Sequence, residues 1–145
     1  MKRIAFLLVL VSACKTVTVV PPTSGAGAAT PKAAVERFVQ AAKMQDVQGI
    51  GATFGDEKGA MRDHTPREQM EQRAIIMLAC LRHDKAVVHE PVAALGGRMT
   101  LNVDFTQGKL TGTSEFEVAK GPENRWYVNK FDIITMQNKG FCAKT

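Results

Sequence analysis

From Pro31 onward the chain carries two hydrophobic rhythms, one after the other. Val35, Phe38, Val39 and Ala42 recur at i, i+3, i+4 and i+7, the spacing that lays one apolar stripe along a helix. Thr30-Pro31 precedes them: a residue able to cap, then proline at the first helical position, where its missing N–H leaves no bond unmade. The pattern predicts a helix from Pro31 to about Gln45. Asp46 is placed to cap a short second helix over Val47 to Phe54, with Val47, Ile50 and Phe54 turned inward. Thr65-Pro66-Arg67-Glu68 reads as a capping box. Met70, Ala74, Met77, Leu78 and Leu81 follow at helical spacing, so a third helix should reach about Arg82 with Cys80 near its end.

The period then drops to two. Ala86 to His89 is a short β-prone run stopped by Pro91; Met99, Leu101, Val103 and Phe105 alternate with Thr100, Asn102, Asp104 and Thr106, a strand with one buried face. Gln107-Gly108-Lys109 is a hairpin turn, and Leu110 to Val118 returns with Leu110, Phe116 and Val118 on one parity. Gly121-Pro122-Glu123-Asn124 makes another turn, and Arg125 to Thr135 is predicted as the last long strand. Helices first and an antiparallel meander after them predict an α+β fold, with the N-terminal helices packed on one face of the sheet. Glycines 49, 51, 55 and 59 match neither GxGxxG after a strand nor GxxxxGK before Ser or Thr, so they read as loop residues rather than a phosphate cradle.

Upstream of Thr30 there is no such rhythm. Lys2 and Arg3, the apolar run Ile4 to Val11 and the small Ser12-Ala13 have the build of an export signal over residues 1–13. The run is roughly eight residues, against about 20 needed to span hydrocarbon. Val11-Ser12-Ala13-Cys14 resembles a bacterial lipobox. That resemblance implies that Cys14 is acylated, that it becomes the first mature residue, and that membrane lipid is the partner of the anchored protein. Ordinary cleavage after Ala13 is the alternative. Lys15 after the cysteine leans toward the outer membrane, facing the periplasm of the cell envelope. Residues 14–30, KTVTVVPPTSGAGAAT after the cysteine, lack bulk for a core and read as a flexible tether, which leaves 31–145 as one domain. With Cys14 acylated, Cys80 and Cys142 remain as an even pair in an oxidising compartment; a disulfide is expected, two buried free thiols being the alternative. The net charge of +5 falls to +3 without Lys2 and Arg3. The remaining cations are scattered among acids, so no nucleic-acid partner is expected.

The opening TPxxAVxxFVxAAxxxDVxxIxxxF of Thr30 to Phe54, a third helix and a closing strand around Trp126-Tyr127-Val128 resemble the nuclear transport factor 2-like superfamily, over roughly Thr30 to Met136. The resemblance implies a cone, a curved antiparallel sheet wrapped around helices, whose open end takes a small apolar ligand and whose outer sheet face often pairs two copies. It implies a pocket lined by Phe38, Phe54, Met77, Tyr127 and Asp132. Enzymes of that shape use a carboxylate inside the cone as a base. Asp104, Glu115 and Glu117 lie on the outward parity of their strands, so Asp132 is the one candidate, for an isomerase or lyase. Otherwise the domain is a binding or assembly module without catalysis. His64, His83 and His89 show no metal-ligand spacing, and no GxSxG marks a nucleophile; no metal and no cofactor are expected. Arg82-His83-Asp84 is read as a helix-end cluster with capping and dipole roles.

Overall fold

A computed structural model describes residues 25–142. The export signal, Cys14 and the tether up to residue 24 lie outside the described residues, as do residues 143–145. The chain forms helix α1 (Pro31–Lys43), α2 (Val47–Thr53), strands β1 (Gly55–Asp56) and β2 (Gly59–Ala60), α3 (Met61–His64), α4 (Arg67–Cys80), β3 (Lys85–Val88), β4 (Val92–Ala93), β5 (Met99–Gln107), β6 (Leu110–Lys120), β7 (Trp126–Phe131) and α5 (Ile133–Asn138). This is the predicted α+β order, helices before a mainly antiparallel sheet.

Helix α1 forms as its sequence dictates: Thr30 caps it by accepting from the Ala33 amide at 3.2 Å, and Ala34, Val35, Phe38, Val39, Ala41 and Ala42 are its buried face. That face packs on β3, β5, β6 and β7. Asp46 caps α2 through the Gly49 amide at 2.9 Å. Glycines 49 and 51 sit inside α2 rather than in a loop. A Cβ on Gly49 would lie 2.9 Å from the Ala41 methyl, and one on Gly51 would lie 2.6 Å from Met70 Sδ, so their bareness serves close helix packing.

The main sheet runs β3-β5-β6-β7, with β4 also on β5. The β5–β6 hairpin keeps strict register from Met99 opposite Val118 to Gln107 opposite Leu110. Gly108 takes a positive φ of 56° in its turn. Leu101, Val103, Phe105, Phe116 and Val118 point into the core, whereas Leu110, assigned to the same parity, is exposed at the hairpin end. Between β6 and β7 the register slips: Phe116 faces Phe131, but Val118 faces Val128, so β7 carries one extra residue, a bulge. A bulge bends a strand and shifts its parity, which is why apolar side chains fall on both parities of β7.

Three boundaries differ from the sequence-based expectation. The expected capping box is not made: the N-cap of α4 is Pro66, which has no side-chain hydrogen bond to give, and Thr65 instead closes α3 through its amide to the Met61 carbonyl at 3.0 Å. The last strand ends at Phe131 rather than Thr135, and α5 follows it. The third difference concerns the tether, which was expected to stay loose through Thr30. Residues 25–28 are docked: Ala28 and Trp126 exchange backbone bonds of 2.9 and 2.7 Å, and the Gly27 amide donates to the Ala52 carbonyl at 2.9 Å. Arg125 donates to the Ala26 and Gly27 carbonyls at 2.8 Å each, while Arg37 donates to those of Gly25 and Gly27. Small side chains made this strap look like linker, yet they are what lets its backbone lie flat against Tyr127.

Cys80 and Cys142 form a disulfide with an S–S distance of 2.02 Å, tying the end of α4 to the chain beyond α5. Phe141 is thereby held in the core against Phe105, ring centroids 6.5 Å apart.

Candidate functional site

Among the described residues, polar side chains gather in one surface cleft beside the end of β5 and in another along β6 and β7. The first, of about 380 Å³, is lined by Lys43, Gln45, Arg82, His83, Asp84 and Gln107. Three chain reversals converge there. Helix α1 stops after Lys43, and Gln45 takes a positive φ of 55° while its amide donates to the Ala42 carbonyl at 2.8 Å. Helix α4 stops at Cys80, and Leu81, fully buried, turns the chain toward β3. Asp84 ties that turn to the β5–β6 hairpin: its amide donates to the Thr106 carbonyl at 2.8 Å and its carboxylate accepts from the Gly108 amide at 2.7 Å. Lys43 Nζ donates to the Asp84 carbonyl at 2.9 Å.

His83 is the buried member, 9% exposed, with its ring edge-on to Phe105 at 5.2 Å. Nδ1 lies 2.7 Å from the Leu81 carbonyl oxygen. A carbonyl has no proton to give, so Nδ1 carries the hydrogen and Nε2 carries the lone pair. Nε2 has no hydrogen-bond partner among the described residues and is not shut off from solvent. Burial holds the ring's pKa below the ordinary histidine value, Lys43 pushes the same way, and the Leu81 carbonyl and Asp84 only partly oppose it. The cleft therefore presents a neutral imidazole with a free acceptor, flanked by two cations. Arg82 is exposed and its guanidinium has no partner among the described residues.

The second cleft, of about 440 Å³, is lined by Glu115, Glu117, Lys130, Phe131, Asp132, Ile133 and Ile134. Asp132 is there, but as a structural cap. Oδ1 accepts from the Thr135 amide at 2.9 Å and Oδ2 from the Thr135 hydroxyl at 2.6 Å, closing the first turn of α5. Those two bonds hold its carboxyl below the usual carboxylate range, the reverse of the raised pKa a pocket base needs at neutral pH. The expected role of Asp132 as a base inside the cone is thus corrected: the strand it was assigned to has already ended.

The other expected pocket walls are packed together. Phe38 is fully buried, its ring about 6 Å from those of Phe54, Phe116 and Phe131; Met77 lies in the same core. Tyr127 has the parity opposite to Val128 and lies against Gly27 and Gly121. None of these four lines either cleft.

Asp104, Glu115 and Glu117 do face outward. Asp104 accepts from the Thr113 hydroxyl at 2.5 Å and pairs with His89 Nε2 at 2.6 Å, bonds that lower its pKa. Both partners bond the carboxylate rather than each other, so the trio ties strands and is no nucleophile relay. Arg98 bridges Glu57 and Glu117 at 2.7 Å each. Among the described residues no group of three or more His, Cys, Asp or Glu is placed to hold a metal.

His83 is the residue that sequence reasoning passed over. Its signal was present in the Arg82-His83-Asp84 run, but the site exists only because the α1 end and the β5 end meet it in space.

No protein-family model matches the chain, and no curated protein sequence matches it. Among solved structures, an LEH-like epoxide hydrolase of M. tuberculosis is similar at 17% identity, over 74% of this chain and 86% of that one, with a TM-score of 0.36. That is too distant to carry any statement about activity.

Proposed function

We propose that this is a lipid-anchored protein of the bacterial cell envelope, held through Cys14 in the outer membrane and facing the periplasm. Its folded part is a binding module of the nuclear transport factor 2-like shape. Its ligand site is the Lys43–Arg82–His83 cleft rather than the interior of the cone. The supporting observation is the free acceptor of a nine-tenths buried histidine opening into a cleft with two cations. Nε2 is open to solvent and has no protein partner among the described residues, so its lone pair is available to a donor that enters the cleft. The lining is polar, so the ligand is polar, where the resemblance to the cone family pointed to a small apolar one. The outer sheet face carries Thr100, Asn102, Asp104, Thr113, Glu115 and Lys130 with the exposed Val87 and Val92 at its β3 and β4 edge, a mainly hydrophilic surface that favours a monomer over pairing through that face.

Catalysis through Asp132 is not part of this proposal, because the capping bonds take both of its oxygens. Native mass spectrometry of the full chain purified from its own host tests the site. A polar molecule retained by the wild type and lost in Arg82→Ala supports it; the same retention in both proteins would sink it. The anchor is tested separately by Cys14→Ser, which should release the exported protein from sedimenting membranes.

A further inference from the structure

We propose that the cleft binds a phosphate group, with its anionic oxygens held by Arg82 and Lys43 and its remaining O–H donating to His83 Nε2. This assignment rests on the reading of the cleft as the ligand site and names the chemistry that fills it.

The constraint comes from what the cleft presents. Arg82 has no partner among the described residues, and Lys43 has given one of its three N–H bonds to the Asp84 carbonyl, leaving two. The Asp84 carboxylate is directed at the Gly108 amide, so these cations are not paired with it. Together they ask for negative charge. Nε2, with its lone pair, asks for a donor. A fully deprotonated anion would set negative oxygen against that lone pair, and a neutral hydroxyl compound would leave the two cations unanswered. A phosphate holding one proton offers both on one tetrahedral centre.

The groups around His83 keep it in the accepting form. Lys43 and Gln45 face it from the end of α1, Arg82 and Asp84 flank it in the chain, and Phe105 and Gln107 approach from β5. Of these, two are cationic and one acidic, so the surroundings oppose a positive imidazole. The inorganic dianion already carries the O–H that Nε2 accepts, so it enters without a change of protonation, whereas the dianion of a monoester has none and takes up one proton from solvent on binding; no covalent bond is made or broken in either case. A cleft of about 380 Å³ accommodates inorganic phosphate or the phosphate end of a small monoester.

Sulfate isolates the proton, since it has the same shape and charge but no O–H at neutral pH. The test is nitrogen NMR of the full chain labelled at histidine, reading Nε2 of the His83 ring, identified by its contacts with Phe105. Titration at neutral pH with inorganic phosphate, methyl phosphate, sulfate, lactate and a neutral polyol should give a saturable shift with both phosphates. Sulfate should bind about tenfold more weakly or worse, having nothing to donate to the lone pair. Arg82→Ala, an exposed substitution that leaves the core intact, should weaken phosphate by a similar factor. Equal affinity for sulfate and phosphate would overturn the proton-donor assignment. A shift with lactate or the polyol but not with phosphate would overturn the phosphate assignment while leaving the cleft as the ligand site. No shift with any of the five would overturn both.

Discussion

Replacing Gly27 by alanine tests whether the strap ahead of α1 belongs to the fold. Gly27 has a φ of +63°, and a Cβ there would lie 2.7 Å from two ring carbons of Tyr127 and 2.9 Å from the Trp126 carbonyl oxygen. Gly96 is the internal control, with φ +70° and nothing within 4 Å of its Cβ position. Alanine in the left-handed region costs about 1–2 kcal/mol at either site. At Gly27 the overlap adds about 1–3 kcal/mol, the usual penalty for overfilling a packed position, because Tyr127 is buried and the carbonyl is backbone. The chain can escape the overlap only by undocking. That gives up the Ala28–Trp126 pair, the Gly27–Ala52 bond and the arginine bonds to three carbonyls, each contributing about 1 kcal/mol. Urea unfolding of the two variants should therefore show Gly27→Ala less stable than Gly96→Ala by about 1–3 kcal/mol. Equal losses, at equal m-values, would mean that the strap contributes nothing and that folding begins at α1.

Three further outcomes follow from the same packing. Reducing the Cys80–Cys142 disulfide, or replacing both cysteines by serine, opens a loop with a sequence separation of 62 and should lower stability by about 4 kcal/mol in the chain-entropy model, measured by denaturant midpoint with and without reductant. Asp132→Ala should lower the melting temperature modestly by removing the cap of α5, while Asp132→Asn, which caps as well, should leave it nearly unchanged; equal losses for both would refute the capping role. His83 is held below its ordinary pKa, so the unfolded chain binds a proton there more readily than the folded one. Its contribution is complete above the ordinary histidine range and lost as the pH falls through the folded value, and melting curves from neutral to mildly acidic pH should fall more steeply for the wild type than for His83→Gln.

The β5–β6 hairpin was readable because it obeys one rule throughout. Met99 to Phe105 alternate without interruption, Gly108 supplies the turn conformation, and nothing between them alters the register. Helix α1 was readable for a similar reason, its cap, its proline and its stripe all agreeing on one start. The features that escaped depend on residues far apart in sequence. The bulge in β7 separates Val128 and Phe131 by three residues where β6 separates Val118 and Phe116 by two, so alternation fails and the strand looks longer and more ambiguous than it is. Asp132-Ile133-Ile134-Thr135 does carry a cap signature, an acid with a hydroxyl three residues on, but two isoleucines of high β-propensity hid the helix behind it.

The strap and the cleft were hidden by a more general cause. Gly25 to Ala28 have no hydrophobic bulk, and bulk is what a periodicity argument weighs; their stability comes from backbone groups bonded to Trp126, Ala52, Arg37 and Arg125, which no local pattern announces. Arg82-His83-Asp84 is likewise an unremarkable helix exit until α1 ends beside it. The role proposed for His83 rests on a single geometric fact, that the Leu81 carbonyl two residues back accepts from Nδ1–H and so fixes which nitrogen is left to accept. A main-chain oxygen sets the tautomer of a side chain, and the tautomer sets the chemistry the cleft can recognise. Moving that carbonyl, for instance by releasing the Cys80–Cys142 bridge one residue before Leu81, should therefore disturb the Nε2 resonance even before the domain unfolds.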